Sequence, residues 1–204
     1  MTVQLTKRTL LATLAALMSS RAAGQATASA RPRVILTTAA GTITLELAAD
    51  KAPITAANFL RYVDHKRLDG TSFYRASKAS LEPLSGLIQG GAKNDPARLF
   101  PPIAHESTTL TGLKHIDGTI SLARNEPGSA TADFFICIGV QSYLDADPAG
   151  SGDNLGFAAF GQVIEGMDVV RRILTSPTSP TEGEGAMKGQ MLEPPIAIAM
   201  ARRT

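Results

Sequence analysis

What the chain has little of narrows its chemistry first. It carries one cysteine, Cys137, so no intrachain disulfide is available, and Phe134-Phe135-Ile136-Cys137-Ile138 places that thiol in an apolar run where it reads as a small core hydrophobe. Three histidines, His65, His105 and His115, are scattered, and His105-Glu106 lacks the second histidine of a zinc-protease helix. No Ser-His-Asp order stands out. Gly150, Gly152 and Gly156 are not followed by Lys-Ser or Lys-Thr, so they read as loop rather than as a phosphate cradle. Long hydrophobic runs are missing as well: Thr9 to Met18 is about half of the roughly 20 residues that a spanning helix needs.

That short run, preceded by Lys7 and Arg8 and followed by small-x-small triplets between Gly24 and Ala30, has the layout of a secretory signal. We expect residues 1–30 to be a signal peptide and leader, cleaved near 26–30, and the mature chain to be periplasmic or secreted, with no membrane span after cleavage. No cysteine follows the apolar run, which gives a lipid anchor at this end no support. The formal charge of +2 contains Lys7, Arg8 and Arg21, so the chain from residue 31 carries −1, and no nucleic-acid partner is expected.

What remains, residues 31–204, is long enough for one domain with a real core. Val34 and Leu36, then Ile43, Leu45 and Leu47, alternate with polar or small residues about a turn at Ala39-Ala40-Gly41, which predicts a hairpin. From Pro53 the period changes. Ala56, Phe59, Leu60 and Val63 fall at helical spacing, predicting a helix that ends near Leu68-Asp69-Gly70. Short apolar runs at 71–74, 86–89, 119–123, 133–138 and 156–163 predict further strands. Gly166 to Leu174 predicts a second helix, Ser176 to Pro194 a loop, and Pro195 to Ala201 a last strand. Many strands, two helices and no strand-helix alternation point to an antiparallel barrel or sandwich.

The motifs, in order, are Phe73-Tyr74-Arg75, Gln89-Gly90-Gly91, Gly118 to Ala123, Phe134-Phe135-Ile136, Tyr143-Leu144-Asp145, Phe160-Gly161-x-Val163 and Gly166 to Val170. Together, from Arg33 to Ala201, they resemble the cyclophilin family of peptidyl-prolyl cis-trans isomerases. Leu122-Ala123-Arg124 and Gly156-Phe157-Ala158 are most similar to the bacterial, often exported, branch. The resemblance implies a mainly β fold, a closed eight-stranded antiparallel barrel capped by two α-helices. It implies isomerisation of Xaa-Pro bonds in exported proteins, with no cofactor and no metal, by a chain expected to be a monomer whose partners are proline-containing segments of unfolded proteins.

By that resemblance Arg75 is the catalytic cation, Gln89 steadies it and hydrogen-bonds the substrate backbone, and Phe135 is the floor of a proline pocket. Leu144 and Phe157 stand at its sides, with Tyr143 at the rim. Leu87 follows the position of a missing pocket aromatic, where this chain has Gly86. Ala123 and Arg124 match positions that meet the peptide main chain, with a solvated Arg124 an equal alternative. Asp133 stands where the family has glutamine, and either pairs with Arg75 and orients it or holds it away from the proline nitrogen. Two insertions, 76–86 and 146–155, depart from the family pattern, and the missing wall is absent or supplied by Leu81, Leu84 or Leu87. These departures leave a second reading open, a proline-peptide-binding module with little catalysis on the same barrel.

Overall fold

The computed structural model describes residues 31–204; the expected signal peptide lies outside the described residues. Strand β1 (Arg33–Thr38) turns at Ala39-Ala40 into β2 (Gly41–Leu47), with Leu36 opposite Ile43, as the alternation predicts. Helix α1 (Pro53–Asp64) follows. It stops short of the expected Leu68 because His65 folds back, its ring Nδ1 meeting the Arg61 carbonyl at 2.9 Å, and Lys66 takes a left-handed φ of 55°. Leu68 is then free to enter the core from a turn.

The segment β3 (Thr71–Leu81) and β4 (Leu84–Gly91) is a longer hairpin than the apolar runs indicate. The insertion 76–86 extends both strands beyond the barrel, pairing Ser77 with Leu87 and Leu81 with Leu84. Within it Ala76 and Leu84 pack on the core while Leu81 is exposed, so it carries no regular apolar alternation to read. Gly86 is fixed by the ladder itself: its φ is +148°, and a Cβ there would lie 2.1 Å from the Ser77 carbonyl oxygen.

A one-turn helix α2 (Thr108–Thr111), capped by Ser107 and by left-handed Gly112, is too short for a periodic signal. Strands β5 (Thr119–Leu122), β6 (Phe134–Ile138) and β7 (Ala158–Glu165) and helix α3 (Met167–Thr175) follow, close to expectation. Within the expected loop the chain adds a two-residue β8 (Thr178–Ser179), and β9 (Met191–Arg203) begins before Pro195. The register between β3 and β9 slips from Phe73 opposite Ile196 to Arg75 opposite Met191. Pro194 and Pro195 sit in that slip, where a missing N–H removes no ladder bond.

The strand order β1-β2-β7-β5-β6-β4-β3-β9 closes through β1–β9 pairing, with Leu36 opposite Ala201, so eight antiparallel strands form a barrel and β8 is a short addition on β9. Inward-facing side chains fill it. Phe134 sits at the centre, its ring 5.4 Å from Phe59 of α1 and 5.7 Å from Phe73, with Ile43, Ile88 and Ile120 also fully buried. Helix α1 reaches this core through Ala56, Phe59, Leu60 and Val63, spread over two turns, and its N-terminus is held by a carboxylate from far along the chain. Ala52 offers no capping side chain; Glu106 instead accepts from the Ile54 amide at 3.1 Å and from both the amide and hydroxyl of Thr55 at 2.7 Å.

Candidate active site

Alternation that fills the barrel also builds its outer face. Ile88 and Ile136, opposite each other on β4 and β6, point inward; their neighbours Leu87 with Cys137, and Gln89 with Phe135, point out. On β3 the pairing jumps from Phe73–Gly90 to Arg75–Gln89, leaving Tyr74 as the extra residue of a β-bulge. The bulge lets both Tyr74 and Arg75 reach the outer face. One transverse row therefore runs Met191, Arg75, Gln89, Phe135, Ser121 across five strands.

Along this row a groove of about 810 Å³ opens. Arg75, Leu87, Gln89, Ala123, Arg124, Asp133, Phe135, Tyr143, Leu144 and Phe157, the full set singled out from sequence, all lie on its wall. The Arg75 guanidinium donates from Nη1 to Gln89 Oε1 at 2.8 Å, and the Gln89 amide donates on to Tyr74 Oη at 2.8 Å. Its Nε donates to Gln190 Oε1, also at 2.8 Å. Burial lowers the Arg75 pKa from its usual value, yet a guanidinium stays charged in any protein setting. Burial likewise pushes the Tyr74 phenol up, keeping it protonated.

Phe135 is the floor, and its ring is held on two sides. Phe157 meets it edge-on at 5.4 Å, while His115 stacks at 5.8 Å and 20°. Leu87, Cys137 and Leu144 pack around it. Cys137 is fully buried and its thiol is pushed up to about 12, so it is an inert packing group. Tyr143 stands at the rim, largely exposed.

Behind the floor lies an arrangement that sequence order did not suggest. His115 Nδ1 is 2.7 Å from Asp145 Oδ1 and His115 Nε2 is 3.0 Å from Ser121 Oγ, the connectivity of a hydrolytic triad. Ser121 is wholly buried, so no substrate reaches its hydroxyl. The three residues brace Phe135 instead. Burial lowers the His115 pKa against the pull of Asp145, favouring the neutral ring.

Three points that the sequence leaves open are decided in the structure. Asp133 makes no hydrogen bond or ion pair with Arg75; its carboxylate turns away and accepts from the Lys93 amide at 2.8 Å. Lys93 and Asn94 are both left-handed, so successive amides converge on that carboxylate, while burial raises its pKa. Arg124 is not solvated. Its side chain is 6% exposed, donates twice to Asp153 at 2.8 Å and twice to the Gly156 carbonyl, and thereby ties the 146–155 insertion to the groove. This contact pulls the Asp153 carboxyl down to about 2.

The missing wall is the third. Leu81 is at the hairpin tip and 66% exposed, and Leu84 packs against the barrel core, so of the three candidates only Leu87 faces the groove. Met187 and Met191, with Glu182, Gly183 and Glu184, complete the lining from the segment read as loop. Their signal in the sequence is slight, two methionines four apart in a stretch otherwise rich in Pro, Gly, Ser and Thr.

A closed eight-stranded barrel with an arginine, glutamine and phenylalanine row on its outer face defines a cyclophilin-like protein, and comparisons with known proteins carry this further. Residues 33–200 match the model of the cyclophilin type peptidyl-prolyl cis-trans isomerase family. The chain is 35% identical over 173 residues to peptidyl-prolyl cis-trans isomerase A of Dickeya dadantii, covering 83% of this chain and 85% of that one. It is 38% identical over 156 residues to a peptidyl-prolyl cis-trans isomerase of Acinetobacter baylyi, covering 74% of this chain and 77% of that one. A cyclophilin type peptidyl-prolyl cis-trans isomerase of Cryptosporidium parvum, solved in the presence of the dipeptide Ala-Pro, superposes with a TM-score of 0.66 at 20% identity, covering 84% of this chain and 98% of that one. The chain belongs to the cyclophilin-type peptidyl-prolyl cis-trans isomerases, a family of enzymes.

Proposed function

We propose that the mature chain is exported and accelerates cis-trans exchange of Xaa-Pro bonds in unfolded exported proteins. The observation that carries this reading is the half-buried Arg75 fork, held by Gln89, beside an aromatic-floored groove. The uncatalysed barrier is roughly 18–20 kcal/mol because the planar amide keeps partial double-bond character. In the twisted transition state conjugation is broken, and the proline nitrogen gains a lone pair that accepts a hydrogen bond. A donor aimed at that nitrogen stabilises the twisted form more than either planar form, which is the condition for catalysis. Arg75 has the charge and the N–H groups for this, and a low-polarity site strengthens the interaction. Phe135, Leu87, Leu144 and Phe157 offer the apolar seat for the ring. Neither a nucleophile nor a metal enters these steps.

Export rests on the leader alone, with its basic start, short apolar run and small-residue cleavage sites. A protease-coupled assay on a proline peptide, run beside Arg75→Ala, tests the chemistry: a wild-type rate no faster than the uncatalysed one would remove the isomerase reading, and equal accelerated rates for the two proteins would remove Arg75 from it. Expression of the full chain in a bacterium with two membranes tests the location. A periplasmic product whose N-terminus falls near 26–31 is expected, and a full-length cytoplasmic product would contradict it.

A further inference from the structure

We propose that Gln190 is a second positioning residue for Arg75, acting from the opposite side to Gln89. Resting on the isomerase reading of the groove, this assigns a rate-determining task to the segment before β9. A guanidinium has five N–H groups in a fixed plane. In this protein Nε is used by Gln190 and one N–H of Nη1 by Gln89, so one N–H on Nη1 and two on Nη2 have no partner among the described residues. A single amide would leave the fork free to pivot about that bond; two, on different nitrogens, fix its plane.

Both amides are themselves held the right way round. Gln89 spends its NH2 on Tyr74, and Gln190 spends its own on the Ala186 carbonyl at 2.8 Å. Reversing either amide would set N–H against N–H at Arg75, and for Gln190 also oxygen against oxygen at Ala186. The backbone of Gln190 is pinned as well: its carbonyl accepts from the Ala76 amide at 2.9 Å and its amide donates to the Met187 carbonyl at 3.1 Å. Ala76 follows Arg75 directly on β3, so the clamp and the cation share one stretch of ladder.

Gln190 does not itself line the groove, although Met187 and Met191 on either side of it do. It acts on turnover through Arg75, not on substrate directly. The Gln190→Ala protein should therefore show kcat lowered about tenfold, since small misplacements of a reacting group carry losses of that order or more, with KM and melting temperature unchanged. Gln190→Glu keeps an acceptor for Nε at the same reach but sets its other oxygen against the Ala186 carbonyl, so it should restore the rate only in part. The Arg75 Nε–H signal in nitrogen-15 NMR, assigned by its loss in Arg75→Lys, gives a reading independent of activity. It should exchange slowly with water in the wild type and rapidly in Gln190→Ala. An unchanged kcat, a loss confined to KM, or an unmoved Nε–H signal would overturn the proposal. Wild-type exchange no faster than the uncatalysed rate would instead remove the isomerase reading, leaving the Nε–H signal to judge the clamp.

Discussion

The inner and outer faces of the same two strands are put to opposite uses. On β4 and β6 the inward residues Ile88, Phe134 and Ile136 pack into a closed core, whereas Leu87, Gln89 and Phe135 form a surface that stays open for a ligand. Phe134 and Phe135 are adjacent, both aromatic and both buried, yet one is enclosed by protein and the other is covered only from behind and beside. On the proposed function the first serves stability and the second binding.

Exchanging each for alanine should separate them most widely. Phe134→Ala should lose about 3–5 kcal/mol of stability, because the cavity is closed and cannot fill with water. Phe135→Ala should lose less, since the space it leaves joins the solvent-filled groove, but should bind proline peptides poorly. Thermal melts and peptide titrations of the two variants check this. Equal destabilisation with equal peptide affinity would erase the distinction between the faces.

A pH series sharpens it next. In the unfolded chain a histidine takes up its proton near 6.5; folded His115 does so only at lower pH. Protonation thus favours unfolding, so the contribution of His115 is complete above about pH 6.5 and is lost as the pH falls below it. Asp133, with its pKa raised, works in the other direction. Melting temperature should drop on acidification from pH 7 to 5, and His115→Gln should flatten the curve. Parallel curves for both proteins would show that the brace behind Phe135 does not titrate in this range.

The smallest effects concern the wall. Met191→Ala should weaken peptide binding, whereas Leu81→Ala, at an exposed hairpin tip, should change stability by no more than about 0.5 kcal/mol and leave binding alone. A loss of affinity from Leu81→Ala would return the wall to the insertion.

Much of this was legible because alternation and helical period report burial, and every barrel strand has one buried face. The row from Arg75 to Phe135 was legible through motif order. Less could be read where long-range geometry decides. The hairpin extension has too few apolar residues at alternating positions to read, and Pro194-Pro195 reads as loop until the β3–β9 slip accommodates it. The resemblance sets Asp133 facing Arg75, but two left-handed residues, Lys93 and Asn94, turn amides toward it and take its carboxylate. His115, Ser121 and Asp145 meet only because the barrel brings β5 beneath the turn that follows β6. Gln190 lies 115 residues from Arg75, and no local pattern announces their bond.

The central claim is that the outer face both binds proline and twists its amide, with Arg75 responsible for the second step. Exchange NMR on an Ala-Pro-containing peptide reads the two steps separately, binding by shift changes and catalysis by cis-trans exchange peaks. Wild type should give both. Arg75→Ala should still bind but lose exchange by about 10²–10³, the usual cost of removing one donor from a transition-state site. Undiminished exchange in Arg75→Ala would contradict the account.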